Sequence, residues 1–473
     1  MKQNLLEKMR KGERLAFGQQ LLLIFQLSVP AIMAQISSIV MQYIDASMVG
    51  QLGADDSASI GLVSSSTWMM GGLCSAASIG FTVQIAQRIG AGEEKKARNI
   101  VRQGLLAVLL FSGLLFSVGA GISGFLPVWL GGGEEICKNA SRYFLVYAIS
   151  LPAIQMNNAA GGMLQCSGNM RLPSILHILM CVLDVLFNSV LIFPARNITL
   201  LGHQFYCPGA GLGVMGAALG TALAEVVVAC LMLYFLLEKS PMLHLRKGEK
   251  TRFAREDLAR AVKIAVPVGF EQVVMCGAQI MSTKIVAPLG TVAIAANSFS
   301  VTAESLCYMP GYGIGTAATT LIGQSIGAGR KDMTRRLGWL TTCLGMAVMA
   351  GSGVLLYIFA PFMIGILSPD EAIRELGTKV LRIEAFAEPM YAASIVASGV
   401  FRGAGDTLVP SCMNFFSMWA VRIPLAAFLA PRFGLEGVWI AMCIELCVRG
   451  ILFLLRLAGK RWDQRTERKG KGA

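Results

Sequence analysis

Charge is what this chain has least of. Asp, Glu, Lys and Arg make up 15% of its 473 residues, His occurs 3 times, and 55% of the residues are hydrophobic. This balance places the chain among polytopic membrane proteins rather than large soluble globules. No GxxxxGK[ST] loop is present, so ATP is not the expected energy source, and no catalytic constellation appears. The 12 cysteines lie mostly within apolar stretches and never at CxxC spacing, which argues against a disulfide framework or a zinc site. The net charge of +13 does not point to nucleic acid, because the basic residues sit in short segments between apolar runs rather than in one patch. The opening segment MKQNLLEKMRKGER is expected to be retained, since the apolar run after it is too long for a signal-peptide core.

Long apolar runs are abundant. They fall near residues 20–49, 60–86, 103–127, 143–166, 173–194 and 211–238, then 264–287, 294–323, 337–361, 376–401, 408–430 and 435–457. Each is long enough to cross the ~30 Å hydrocarbon layer as a helix. An all-α polytopic membrane protein of twelve transmembrane helices follows. The segments between the runs are short except for a basic stretch around 239–260, and the chain divides into residues 1–238, a linker at 239–260, residues 261–457 and a basic tail at 458–473. Lys95, Lys96, Arg98, Arg330, Lys331, Arg335 and Arg336 fall on the side of the termini, and Asp55, Asp56, Glu134, Glu135, Asp370 and Glu371 on the other. The positive-inside rule then places both termini and the linker in the cytoplasm.

The two sets of six runs are copies. At a single offset of 237 residues, Ile89-Gly90-Ala91-Gly92 recurs as Ile326-Gly327-Ala328-Gly329, Pro152 as Pro389, Gly168 as Gly405 and Pro173 as Pro410. Gly213 and Gly216 match Gly434 and Gly437 at an offset of 221, so the first copy carries 16 extra residues around Arg196 to Pro208. An even number of spans per copy makes this a parallel repeat: two pseudo-symmetric six-helix bundles with a central cavity between them.

The motifs Asp45-Ala46-Ser47-Met48-Val49-Gly50 at the end of the first span, IGAG after the second and eighth, PVGFEQ opening the seventh, and CSGNMRLP and FRGAGDTLVP opening the fifth and eleventh resemble those of the multidrug and toxic compound extrusion (MATE) family. The likeness runs from about Leu21 to Leu457. It implies a two-bundle exporter that alternates between inward and outward openings and exchanges lipophilic or cationic compounds for H+ or Na+.

An ionisable residue inside a membrane span is costly and by default functional. Asp45 matches the acid that the family carries in its first span, where a carboxylate in a low-dielectric site can take up and release a proton or hold Na+. Asp184 and Asn188 are spaced i, i+4 on one face of the fifth span and are expected to point toward Asp45, as coupling groups or as further oxygen ligands to Na+. The proton-linked branch carries Asn then Asp at this spacing, so the order is reversed here. Glu271 matches a Glu common among bacterial members and joins the coupling set. Glu304, Glu384, Glu388 and Tyr391 are assigned to the substrate cavity, with pairing of Glu304 or Glu388 to Arg422 or Lys284 as the alternative. In the sodium-coupled branch, Asp and another acid stand where this chain has Tyr391 and Met275, which favours H+. Pro30 matches a proline at which the family's first helix bends. Glu445 and Arg449 at i, i+4 should pair, and Glu225 has no partner that sequence suggests.

The expected activity is a secondary antiporter without a cofactor, not an enzyme, in the plasma membrane, monomeric, with small amphipathic or cationic molecules and the bilayer as its partners. A lipid-linked saccharide flippase would show a more cationic cavity, and a receptor or scaffold would have no need of buried carboxylates.

Overall fold

A bilayer offers the backbone no hydrogen-bond partners, so every run that crosses it must satisfy its own N–H and C=O groups as helix. The computed structural model describes residues 5–200, 203–245, 253–459 and 462. Most of the basic tail, and residues 246–252 of the linker, lie outside the described residues. The helices are α1 (Leu5–Arg10), α2 (Phe17–Gly50), α3 (Ala54–Gly90), α4 (Glu94–Ile122), α5 (Leu126–Trp129), α6 (Glu134–Cys166), α7 (Arg171–Leu191) and α8 (Gly213–Tyr234) in the first copy. The second copy holds α9 (Arg255–Val286), α10 (Thr291–Gly327), α11 (Lys331–Leu367), α12 (Glu371–Glu384), α13 (Glu388–Gly403), α14 (Leu408–Phe416) and α15 (Ile423–Ala458). Every one of the twelve predicted spans is helical.

The repeat seen in sequence reappears in the element boundaries. Ala54–Gly90 and Thr291–Gly327 both start and end 237 residues apart, as do the starts of α4 and α11, and of α7 and α14. Turn glycines answer one another with the same left-handed backbone: Gly92 (φ 73°) and Gly329 (φ 70°), Gly168 (φ 96°) and Gly405 (φ 75°). A Cβ would be strained at these φ values, so the shared IGAG and GNM/GAGD turns require glycine. Packing also repeats, with α4 on α6 and α6 on α8 matched by α11 on α13 and α13 on α15.

Among the described residues the copies also differ. Around the 16 extra residues an antiparallel strand pair, β1 (Pro194–Leu200) with β2 (His203–Ala210), is the one departure from all-α architecture among the described residues. Helix α6 passes through Pro152 unbroken, whereas its counterpart breaks between Glu384 and Glu388 into α12 and α13, just before Pro389. The last two predicted spans are joined into one helical run in which Gly434 (φ 59°) departs from helical geometry, and Gly213 (φ 57°) holds the same backbone at the start of α8.

By length and composition, eight helices of the described residues can cross a membrane, the run Leu408–Ala458 counting as one of them. Helices α6 and α10 and the α12–α13 pair fall outside that set. Helix α10 is rich in Gly, Ala, Ser and Thr and buries many of them against its neighbours, so it needs close contact rather than greasiness. Helix α4 is the opposite case, with Leu106, Leu110, Leu114 and Val118 exposed along it, as a lipid-facing helix requires.

Contacts divide the chain into two compact units. One comprises Met1–Ile36, Val83–Glu93 and Lys263–Ala473, the other Ser37–Thr82 and Glu94–Val262. The beginning of α2 and the end of α3 therefore pack with the second copy. Helix α2 stays helical through Pro30, and the unit boundary falls within it, between Ile36 and Ser37.

Candidate functional site

In the second unit, α2 and α7 meet through polar groups. Cys181 Sγ on α7 lies 3.3 Å from the Ser37 carbonyl of α2, and two turns further on the same pair of helices brings Asp45 to Asn188. Asn188 Nδ2 donates to Asp45 Oδ1 at 2.9 Å and to Asp184 Oδ2 at 3.1 Å. The two hydrogens of one amide thus bridge two carboxylates. Asp184 and Asn188 are both 0% exposed, and Asp45 is partly buried. Helix α8 closes over them at Gly220, where a Cβ would lie 2.0 Å from Asn188 Oδ1.

Asp184 Oδ1 and Asn188 Oδ1 are buried with no hydrogen-bond donor, and no Lys or Arg among the described residues acts on either carboxylate. Two acids with only neutral groups acting on them concentrate negative charge in a low-dielectric site, and binding a proton or a monovalent cation reduces it. Carboxylate and amide oxygens are hard donors of the kind Na+ takes, so the residues fit either ion. No group of three His, Cys, Asp or Glu that could hold a metal ion occurs among the described residues. The predicted trio of Asp45, Asp184 and Asn188 is brought together.

Glu271 is placed differently, in the other unit. Its Oε2 accepts from Ser411 Oγ at 2.9 Å and its Oε1 from Asn414 Nδ2 at 2.7 Å, with Arg402 Nη2 at 3.7 Å. This carboxylate is fully served and ties α9 to α13 and α14.

Glu304, Glu384, Glu388 and Tyr391 gather around the α12–α13 break. Glu384 and Glu388 are 0% exposed, and among the described residues none of their four carboxyl oxygens has a hydrogen-bond partner. They are closed off from solvent rather than spread along an open wall. Glu388 pairs with neither Arg422 nor Lys284; Arg422 turns its Nη2 to Met442 Sδ at 2.7 Å, while it and Arg449 remain within electrostatic reach of Glu304. The Tyr391 ring packs on Tyr308 at 5.5 Å and lies under the Arg449 guanidinium at 5.3 Å. Arg449 pairs with Glu445 at 3.0 Å, as their spacing predicts, and Glu445 also accepts from Ser417 Oγ.

Two residues near the first cluster have no counterpart among the candidates read from sequence. Asn157 of α6 donates to Glu225 Oε2 of α8 at 2.8 Å and touches Met180 Sδ of α7 at 3.4 Å. Glu225 stood out as an acid in an apolar span. Asn157 gave no signal beyond being an amide in one, since its partner is 68 residues away.

Known proteins with the same features are membrane transporters. A probable multidrug resistance protein NorM from Thermotoga maritima is 27% identical over 452 residues, covering 94% of this chain and 93% of that protein. A MOP superfamily transporter from Pyrococcus furiosus superposes with a TM-score of 0.85 at 20% identity, over 96% of this chain and 100% of that one. A mutant of the Vibrio cholerae MATE transporter VcmN gives 0.84 at 18% identity, over 98% and 99%. At these identities the structural likeness speaks to the fold. The MatE family profile matches twice, at residues 30–190 and 267–428, with starts separated by the same 237 residues that separate the copies. Matched over more than half its length, the chain belongs to the MatE family and is a multi-pass membrane transporter, not an enzyme.

Proposed function

We infer that this transporter is an efflux antiporter that exports lipophilic or cationic compounds across the plasma membrane by alternating access, in exchange for a cation bound at Asp45, Asp184 and Asn188. The observation that carries the reading is the Asn188 amide bridging two carboxylates that no basic residue among the described ones neutralises. Binding a cation there relieves an uncompensated charge, so occupancy alters how well α2, α7 and α8 fit together. Pro30, in the part of α2 that packs with the other unit, leaves one carbonyl without its helical partner and gives the helix a place to flex. The relatives' names, as multidrug resistance proteins, support small organic substrates.

The proton is the favoured ion. The place of the sodium branch's acid in the tenth span is held by Tyr391, with the Arg449 guanidinium over its ring, and a second cation there would face that positive charge. Glu304 and Glu388 would supply negative charge to a cationic substrate once the second copy opens. The basic loops and both termini face the cytoplasm in this reading, and the transporter works as a monomer.

The test is export of a fluorescent lipophilic cation from vesicles at a clamped proton gradient, with and without Na+. Asp45→Asn should abolish export while leaving expression intact, and Na+ should make no difference. Undiminished export by the variant would refute the assignment.

A further inference from the structure

Glu225 remains without a role in the account above. It sits on α8, facing α6 and α7, partly buried, with Asn157 Nδ2 as its hydrogen-bond donor. The titratable groups around it are Tyr147 on α6, Cys181 and Asp184 on α7, and Cys74 beside Tyr147. No Lys or Arg acts on it among the described residues.

The internal repeat supplies a control. At the offset of 221 the position equivalent to Glu225 is 446, and the second copy places its own acid one residue earlier, at Glu445. Ser417, which donates to Glu445, is the equivalent at 237 of Met180, which touches the same Asn157 amide that holds Glu225. Both copies therefore direct an acid from their last helix toward the same part of the preceding one. The second copy neutralises its acid with Arg449 one turn later; the equivalent position in the first copy is Val228. An acid kept for structure is paired, as Glu445 is, because an unpaired charge in this setting is costly. Glu225 has no basic partner among the described residues, only the neutral Asn157 amide, and lies within electrostatic reach of Asp184.

We propose that Glu225 is a third proton-carrying residue of the coupling cluster, exchanging the coupling proton with Asp184. This rests on the reading of Asp45, Asp184 and Asn188 as the coupling site. The step moves one proton and nothing else: Asp184 loses its O–H hydrogen as a Glu225 oxygen gains one, and Asn157 goes on donating to the other oxygen. Negative charge passes from the neighbourhood of the Asn157 amide to that of Asn188.

The experiment uses the full-length protein in liposomes. Infrared difference spectra across a pH jump should contain a carboxylic-acid C=O band that disappears in Glu225→Gln and shifts in Asp45→Asn. Glu445→Gln, which breaks an ion pair, should cost stability and leave the band. Export of ethidium driven by a proton gradient should fall about tenfold or more in Glu225→Gln, an isosteric change that keeps an oxygen for Asn157, and should recover in Glu225→Asp. A wild-type difference spectrum or an unchanged pH profile of export in Glu225→Gln overturns the proposal. If Asp45→Asn is inactive while Glu225→Gln is normal, only this inference fails; if Asp45→Asn exports normally, the coupling site itself has been misread.

Discussion

Asn188 can bridge two acids because the helix opposite it has no side chain at Gly220. A methyl group there would sit 2.0 Å from Asn188 Oδ1, which forces the amide to turn or α8 to withdraw. Gly220→Ala is expected to destabilise the protein by about 1–3 kcal/mol through overpacking, seen as a lower melting temperature in detergent. Export should fall with it, because a turned amide no longer bridges Asp45 and Asp184. The reversed order of Asp184 and Asn188 also finds its meaning here. With the amide one turn further along α7, it stands between the two carboxylates, whereas Asp184 lies on the side nearer Glu225. Sequence identified all three residues of this bridge, since each is a polar group in an apolar span. It also counted Glu271 among the coupling groups, yet that carboxylate takes two hydrogen bonds and a guanidinium from residues 131 to 143 positions away. Nothing along α9 encodes those partners.

At the scale of elements, the ends of α3 and α10 cross through the shared IGAG motif. A Cβ on Gly90 would lie 2.1 Å from the Gln324 carbonyl oxygen, and one on Gly327 would lie 2.0 Å from that of Gln87. Gln87 and Gln324 are themselves 237 apart, so each copy lays its glycine on the other's glutamine, and the crossing is symmetric. Gln87 Nε2 further donates to the Gly403 carbonyl at 3.0 Å. Gly90→Ala and Gly327→Ala should each cost about 1–3 kcal/mol. Because either one already forces the two helices apart, the double variant should cost clearly less than the sum, a coupling that a double-mutant cycle of thermal unfolding measures. Strict additivity would mean that the two glycines act at independent contacts. The break between α12 and α13 is a further property of elements. Pro152 and Pro389 occupy equivalent places, but only the second follows a break, opening α13, with Glu384 and Glu388 before it in place of Tyr147 and Leu151. Tyr147 donates to the Thr67 carbonyl at 2.8 Å and holds α6 against α3, a tie that the buried glutamates of the second copy do not supply.

For the whole molecule, the asymmetry of charge between alternate loops makes a prediction about orientation. In a variant without native cysteines, Lys96→Cys should react with a membrane-impermeant maleimide only from the cytoplasmic side and Glu371→Cys only from the outside; the opposite pattern would invert the topology. The sequence by itself determined the twelve helical spans, their division into two copies at one offset and the presence of an acid late in the first span. Each of these is a property of residues near one another along the chain: a run of apolar side chains long enough to cross a bilayer, a turn that only glycine permits, a charge where charge is expensive. Tertiary structure alone decided which polar groups meet. Asp45 and Asn188 are 143 residues apart, as are Glu271 and Asn414, and both contacts depend on how one helix is rotated against another. Apolar helices surrounded by lipid carry little pattern to fix that rotation, so it is set by where the few glycines let backbones approach and the few polar side chains find partners.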